Sequence, residues 1–117
     1  MRLRSFQGLV PAPQHAADVA AVPYDVVNRD EAYALAHDNP LNLLHVDRAE
    51  IDLDPEIDPY SDAVYAKALE NFKTLQADGV LLREPQPTMY LYRQTMGEHS
   101  QTGLVAVCHT GDYENDI

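Results

Sequence analysis

Apolar and polar positions alternate along this chain with two different periods, and the switches between them predict its elements. Leu3 to Val10 reads as a first strand, stopped by Pro11 and Pro13. Val19 to Val27 reads as a second extended stretch. There Pro23 fixes its own φ, Val22 is pushed out of the helical region, and Val26 and Val27 favour a strand. Asn28 with Glu31 three positions on forms a capping box and predicts a short helix through Ala36, ended by Asn39-Pro40. Leu41 to Val46 is an apolar run read as a buried strand containing His45, and Asp47 to Asp58 as an exposed, flexible acidic loop.

The strongest periodic signal follows. Val64, Ala68, Phe72 and Leu75 recur at helical spacing. Asp58 is expected to cap this second helix with Pro59 at its first position, and Gly79 to close it. Met89 to Thr95 and Thr102 to Thr110 then read as two strands joined by a polar loop, 96–101, with Tyr90 and Tyr92 on one face. Strands, two main helices and a C-terminal β-hairpin predict an α+β fold with a small mixed or antiparallel sheet. A length of 117 residues predicts a single domain over 1–117, small enough for pairing with a second copy to help it.

Charge narrows the partners. The formal net charge is -11, which disfavours nucleic acid and anionic membrane surfaces and favours a basic partner segment. No apolar stretch at the N-terminus reads as a signal peptide or membrane span, so the cytoplasm is the expected compartment. The single cysteine, Cys108, lies in an apolar strand pattern and is expected to be buried and inert.

Candidate chemistry is sparse. His15, His37, His45, His99 and His109 show no metal-ligand spacing, and no phosphate-binding glycine loop is present, so neither a metal nor a cofactor is expected. Ser5, Ser61 and Ser100 lack a nucleophile-elbow setting, and the adjacent Cys108 and His109 would point to opposite faces of a strand. The aspartic-peptidase signature is missing too, since Thr110-Gly111-Asp112 runs in the wrong order. The rigid Val22-Pro23-Tyr24-Asp25-Val26-Val27 block, by contrast, presents Tyr24 and Asp25 as a binding or catalytic pair.

That block, the opening Arg4-Ser5-Phe6-Gln7-Gly8-Leu9, and Asn39-Pro40-Leu41-Asn42 resemble a bacterial family, domain-of-unknown-function family 1015. Asp78-Gly79-Val80-Leu81, Met89-Tyr90-Leu91-Tyr92-Arg93-Gln94 and Thr102-Gly103-Leu104-Val105-Ala106 follow in the family's order, so the resemblance spans essentially the whole chain. It implies a longer protein continuing into a basic segment, and points to a short member that looks like a self-processing aspartic peptidase. On that reading the chain cleaves itself near Asn115-Asp116-Ile117. Asp116 is the acting carboxylate, His37 its proton partner, and Tyr24 and Asp25 are supports; its partner is its own C-terminal peptide segment, expected to be basic. Asparagine cyclisation at Asn115 is a rival route to the same cut. The competing class is a non-enzymatic N-terminal binding or scaffold module of a larger bacterial protein.

Overall fold

A few short polar side chains, Asn28, Asn42 and Asp58 among them, make local hydrogen bonds that shape turns and helix starts in this chain. The computed structural model describes residues 1–116, with side chains through Glu114. The elements form an α+β arrangement of antiparallel strand pairs and helices, divided into two compact units: Pro11–Leu82, and a terminal unit made of Met1–Val10 with Arg83–Ile117. The chain passes between them along β2 (Leu9–Pro11) and β3 (Leu81–Arg83).

In the Pro11–Leu82 unit, α1 (Ala16–Val19) leads through a short 3-10 turn, Tyr24–Val26, into α2 (Arg29–Ala36). The predicted capping box is present: Asn28 accepts from the Glu31 amide at 2.9 Å, and Glu31 reaches back to the Asn28 amide. The Val-Pro-Tyr-Asp-Val-Val block is a turn rather than a strand. Pro23 starts it with φ -54° and ψ 138°, and the Val26 amide donates to the Pro23 carbonyl. The β preference of two valines is weak without a partner strand to pair with.

Leu41 to Val46 is not a strand either. Leu44–Asp47 is a helical turn, α3, because Asn42 accepts from the Leu44 amide at 2.9 Å and so nucleates it. The acidic stretch that follows is largely ordered: Ala49–Asp52 forms a 3-10 turn whose Ala49, Glu50 and Ile51 are buried. Its charges do not simply repel, since Glu50 pairs with Arg48 and Asp52 with His45.

The long helix α4 (Asp62–Ala77) begins after Ser61, three residues later than expected. Asp58 is spent on a turn of its own, accepting from the Tyr60 amide at 2.9 Å. The far end is as predicted. Gly79 has φ +70°, its amide donates to Gln76, and the Val80 amide donates to Leu75, a Schellman closure. Val80 and Leu75 then pack in one core cluster with Val19 and Leu81. Ala32, Ala36, Leu44 and Ile51 form a second cluster, which joins α2 to α3 through small side chains.

In the terminal unit, β1 (Leu3–Arg4) pairs antiparallel with β6 (Val107–Cys108), and β4 (Tyr90–Met96) with β5 (His99–Val105). The expected first strand is thus interrupted, with only a bridge from Phe6 to Thr88 between β1 and β2. The hairpin loop shrinks to Gly97-Glu98, with Gly97 at φ +59°, as a two-residue turn matching the strand twist demands. Cys108 is exposed, not buried, because β6 is a two-residue edge piece with neither residue covered. A short helix, α5 (Tyr113–Asp116), ends the described chain. Among the described residues no helix is long and apolar enough to cross a membrane.

Leu44 is the largest side chain that is completely buried, at 1% exposure. Leu44→Ala is expected to lower stability by about 2–5 kcal/mol, read as a shifted urea midpoint. At Gly8 an added Cβ would stand 2.7 Å from the Tyr90 hydroxyl. Gly8→Ala should therefore destabilise the terminal unit, and Tyr90→Phe in the same chain should recover part of the loss in thermal unfolding.

Candidate functional site

The residues singled out from the sequence go to different places. Tyr24 and Asp25 sit on the exposed 3-10 turn after Pro23, and among the described residues the Asp25 carboxylate has no hydrogen-bond or ion-pair partner. His37 is the C-cap of α2. Its Nδ1 donates to the Tyr33 carbonyl at 2.9 Å and its ring stacks on Tyr33, with centroids 4.9 Å apart. Asp116 belongs to the terminal unit, and its side chain lies outside the described residues. Tyr24 and His37 line separate clefts of the Pro11–Leu82 unit.

The larger cleft, about 510 Å³, is walled by Val46, Ile57, Val64 and Ala68. Tyr24, Tyr60 and Tyr65 stand around it, 59%, 79% and 59% exposed. That volume suits a small molecule or a single long side chain. Four charged residues line it. Arg48 and Glu50 satisfy one another at 3.0 Å, with Glu50 almost fully buried. The Arg48 Nε–H is not well aimed at the carboxylate, so the contact is an ion pair more than a hydrogen bond. Arg29 lies over the Tyr33 ring at 5.7 Å and reaches Asp30 and the Leu53 carbonyl at 3.4 and 3.5 Å. Asp47 stands at the exposed rim with no partner for its carboxylate among the described residues. The cleft wall takes water from one side of it, which raises its pKa above the usual carboxylate value.

The second cleft, about 350 Å³, brings His37 beside His45, Asp52 and Asn71. His45 has the look of a catalytic imidazole, since its Nδ1 lies 2.8 Å from Asp52. Its Nε2, however, faces the carbonyls of Ala36 and Asn39 at 2.9 and 3.0 Å. Both ring nitrogens face protein oxygens inside the unit, so neither is turned toward a substrate. Asn71 completes the set by donating to the His45 carbonyl and to Asp52. This is a polar strut rather than a reaction centre.

The terminal unit carries a strong charge contact. Arg2 meets Asp112 through its backbone amide at 2.6 Å and its guanidinium at 2.7 Å, and His109 lies 3.1 Å from the same guanidinium. These bonds to Arg2 hold the Asp112 carboxyl below its usual value. Among the described residues no group of three or more His, Cys, Asp or Glu is placed to hold a metal ion. Sequence reasoning missed Arg29, Arg48, Asp47, Tyr60 and Tyr65, which come together only when α2, α3 and α4 pack. The available signal was the bracketing of Tyr60 by Pro59 and the helical spacing of Tyr65 from Val64 and Ala68.

A family model described as a protein of unknown function, DUF1015, matches residues 3–117. Neither the curated proteins nor the solved structures contain a match.

Two outcomes test this account. His45→Ala leaves Asp52 and two carbonyls without their donor and should lower stability by about 2 kcal/mol, with clear coupling to Asp52→Asn in a double-mutant cycle. Asp112 and Asp47 should respond to acid in opposite senses. A carboxyl held low in the fold stabilises it above the unfolded value and loses that contribution as pH falls through the lowered one. Amides of Leu3 and Val107 should therefore exchange faster below about pH 4, and Asp112→Asn should remove that dependence. A carboxyl held high gains stability on protonation, so Asp47→Asn should flatten a rise in stability that begins as pH drops through the raised value.

Proposed function

Given that the chain belongs to the DUF1015 family, we propose that it acts as a non-enzymatic binding module whose partner is a basic polypeptide segment. One observation carries the reading: the charge is gathered in one unit. Residues 11–82 hold fourteen Asp and Glu against four Lys and Arg, a net of -10, while the other 45 residues hold five against four. A field of one sign attracts a cationic segment and repels nucleic acid and anionic lipid. The partner in this proposal is a basic segment following the chain, working in the cytoplasm, with pairing of two copies as an added way of burying the exposed hairpin faces.

The same geometry favours binding over aspartate-type self-cleavage. An acid-base carboxylate works beside a second carboxyl or a free imidazole. Asp25 is exposed without a partner among the described residues, and His37 lines a different cleft from Tyr24.

Two measurements test the proposal. A twenty-residue polylysine should bind, shift resonances of the Pro11–Leu82 unit, and lose roughly an order of magnitude in affinity between about 50 and 200 mM salt. Polyglutamate should not bind. By mass spectrometry over several days, chain extended past Ile117 should stay whole. Cleavage there, abolished by Asp116→Ala and slowed by His37→Ala, would replace the binding module with the peptidase. Cleavage abolished by Asn115→Ala alone would mark asparagine cyclisation.

A further inference from the structure

We infer that the cleft between the Tyr24 turn, α3 and α4 is a pocket for a lysine side chain of a basic partner segment. The inference rests on the binding-module reading and adds the contact that reads the partner. The first argument is shape. The cleft, about 510 Å³, has the volume for a long side chain, and Val46, Ile57, Val64 and Ala68 offer apolar wall to a run of methylenes.

The second argument is the rim. Tyr24, Tyr60 and Tyr65 are large aromatic side chains exposed around one opening. An ammonium over the face of such a ring is attracted by its quadrupole. Asp47 stands on the same opening with no partner for its carboxylate among the described residues. Apolar walls, an aromatic rim and one unpaired carboxylate together match a cation on an aliphatic stem.

The third argument removes the opposite charge. An anion would need a free guanidinium, but Arg48 is neutralised by Glu50, and Arg29 is turned to the Tyr33 ring, Asp30 and the Leu53 carbonyl. An anion would also meet Asp47 at the opening, in a unit of net charge -10. Between the two basic side chains, lysine fits better. A single carboxylate suits the compact ammonium, whereas a guanidinium asks for a planar, bidentate acceptor and would approach Arg48.

The test uses N-acetyl-lysine amide as a lysine side chain without terminal charges, added to the labelled full-length chain and followed by NMR. Saturable shifts are expected at the methyl groups of Val46, Val64 and Ala68. N-acetyl-norleucine amide should give none of comparable affinity, and the arginine analogue should bind more weakly than lysine. Asp47→Asn, checked as folded by its unchanged remote amide shifts, should weaken binding at least about fivefold, as should Tyr60→Ala. Equal binding of norleucine and lysine, or an unchanged affinity in Asp47→Asn, overturns the pocket. So does polylysine that binds the acidic unit with shifts lying outside the cleft, a result that leaves the binding module standing. If neither lysine probe nor polylysine binds, both fall together.

Discussion

The Pro11–Leu82 unit depends on one imidazole. His45 is 8% exposed, yet both its nitrogens are engaged: one with Asp52, the other with the carbonyls at the end of α2 and at Asn39. Asn71 on α4 then grips both the His45 carbonyl and Asp52. Four segments therefore converge on a single residue. A buried polar group of this kind is costly when half satisfied and specifying when fully satisfied, because no slipped arrangement serves all its partners. The apolar clusters on either side are small, built largely from alanines with Leu44 and Ile51 in one and Val19, Leu75, Val80 and Leu81 in the other. Packing alone would allow α2 and α3 to slide; the hydrogen bonds fix their register.

That strut also explains how an acidic segment becomes a wall. Residues 47–58 carry many carboxylates, and repulsion should drive them apart. Instead Glu50 turns in to Arg48, Asp52 turns in to His45, and Ile51 anchors between them in the core. The short turn holding these three residues separates the two clefts, with Glu50 lining one and Asp52 the other. A structural hydrogen-bond network on one side thus shapes the binding surface on the other.

Features governed by neighbours in sequence were legible in it. The Asn28–Glu31 box, the Gly79 closure and the apolar stripe of α4 each follow from side chains within a few residues of one another. Features governed by distant partners were not. Leu41 to Val46 has the composition of a strand, but it is tied as a turn to a distant segment, with the Leu43 amide donating to Val19 and the Asn42 side chain to Ala20. The Pro23 block is extended by propensity and a turn in fact, since no strand lies beside it. Tyr24 was readable as a presented residue, but its companions Tyr60, Tyr65 and Asp47 belong to segments twenty or more positions away. His37 was readable as a helix-end histidine, but the cleft it shares with His45 and Asp52 was not.

The contact between Arg2 and Asp112 joins residues 110 positions apart. Its unit is made from the two ends of the chain, while the other is a single uninterrupted stretch. A ribosome releasing this protein from its N-terminus therefore frees all of Pro11–Leu82 while β6, the partner of β1, is still inside the exit tunnel. The acidic unit is able to close early, on local contacts, and to hold Val10 and Arg83 as the two ends of one folded insert. The search that brings Arg2 to Asp112 is then shortened, because the intervening segment no longer counts as loose chain. The surface that bears the charge therefore leaves the ribosome before the strand that pairs with β1.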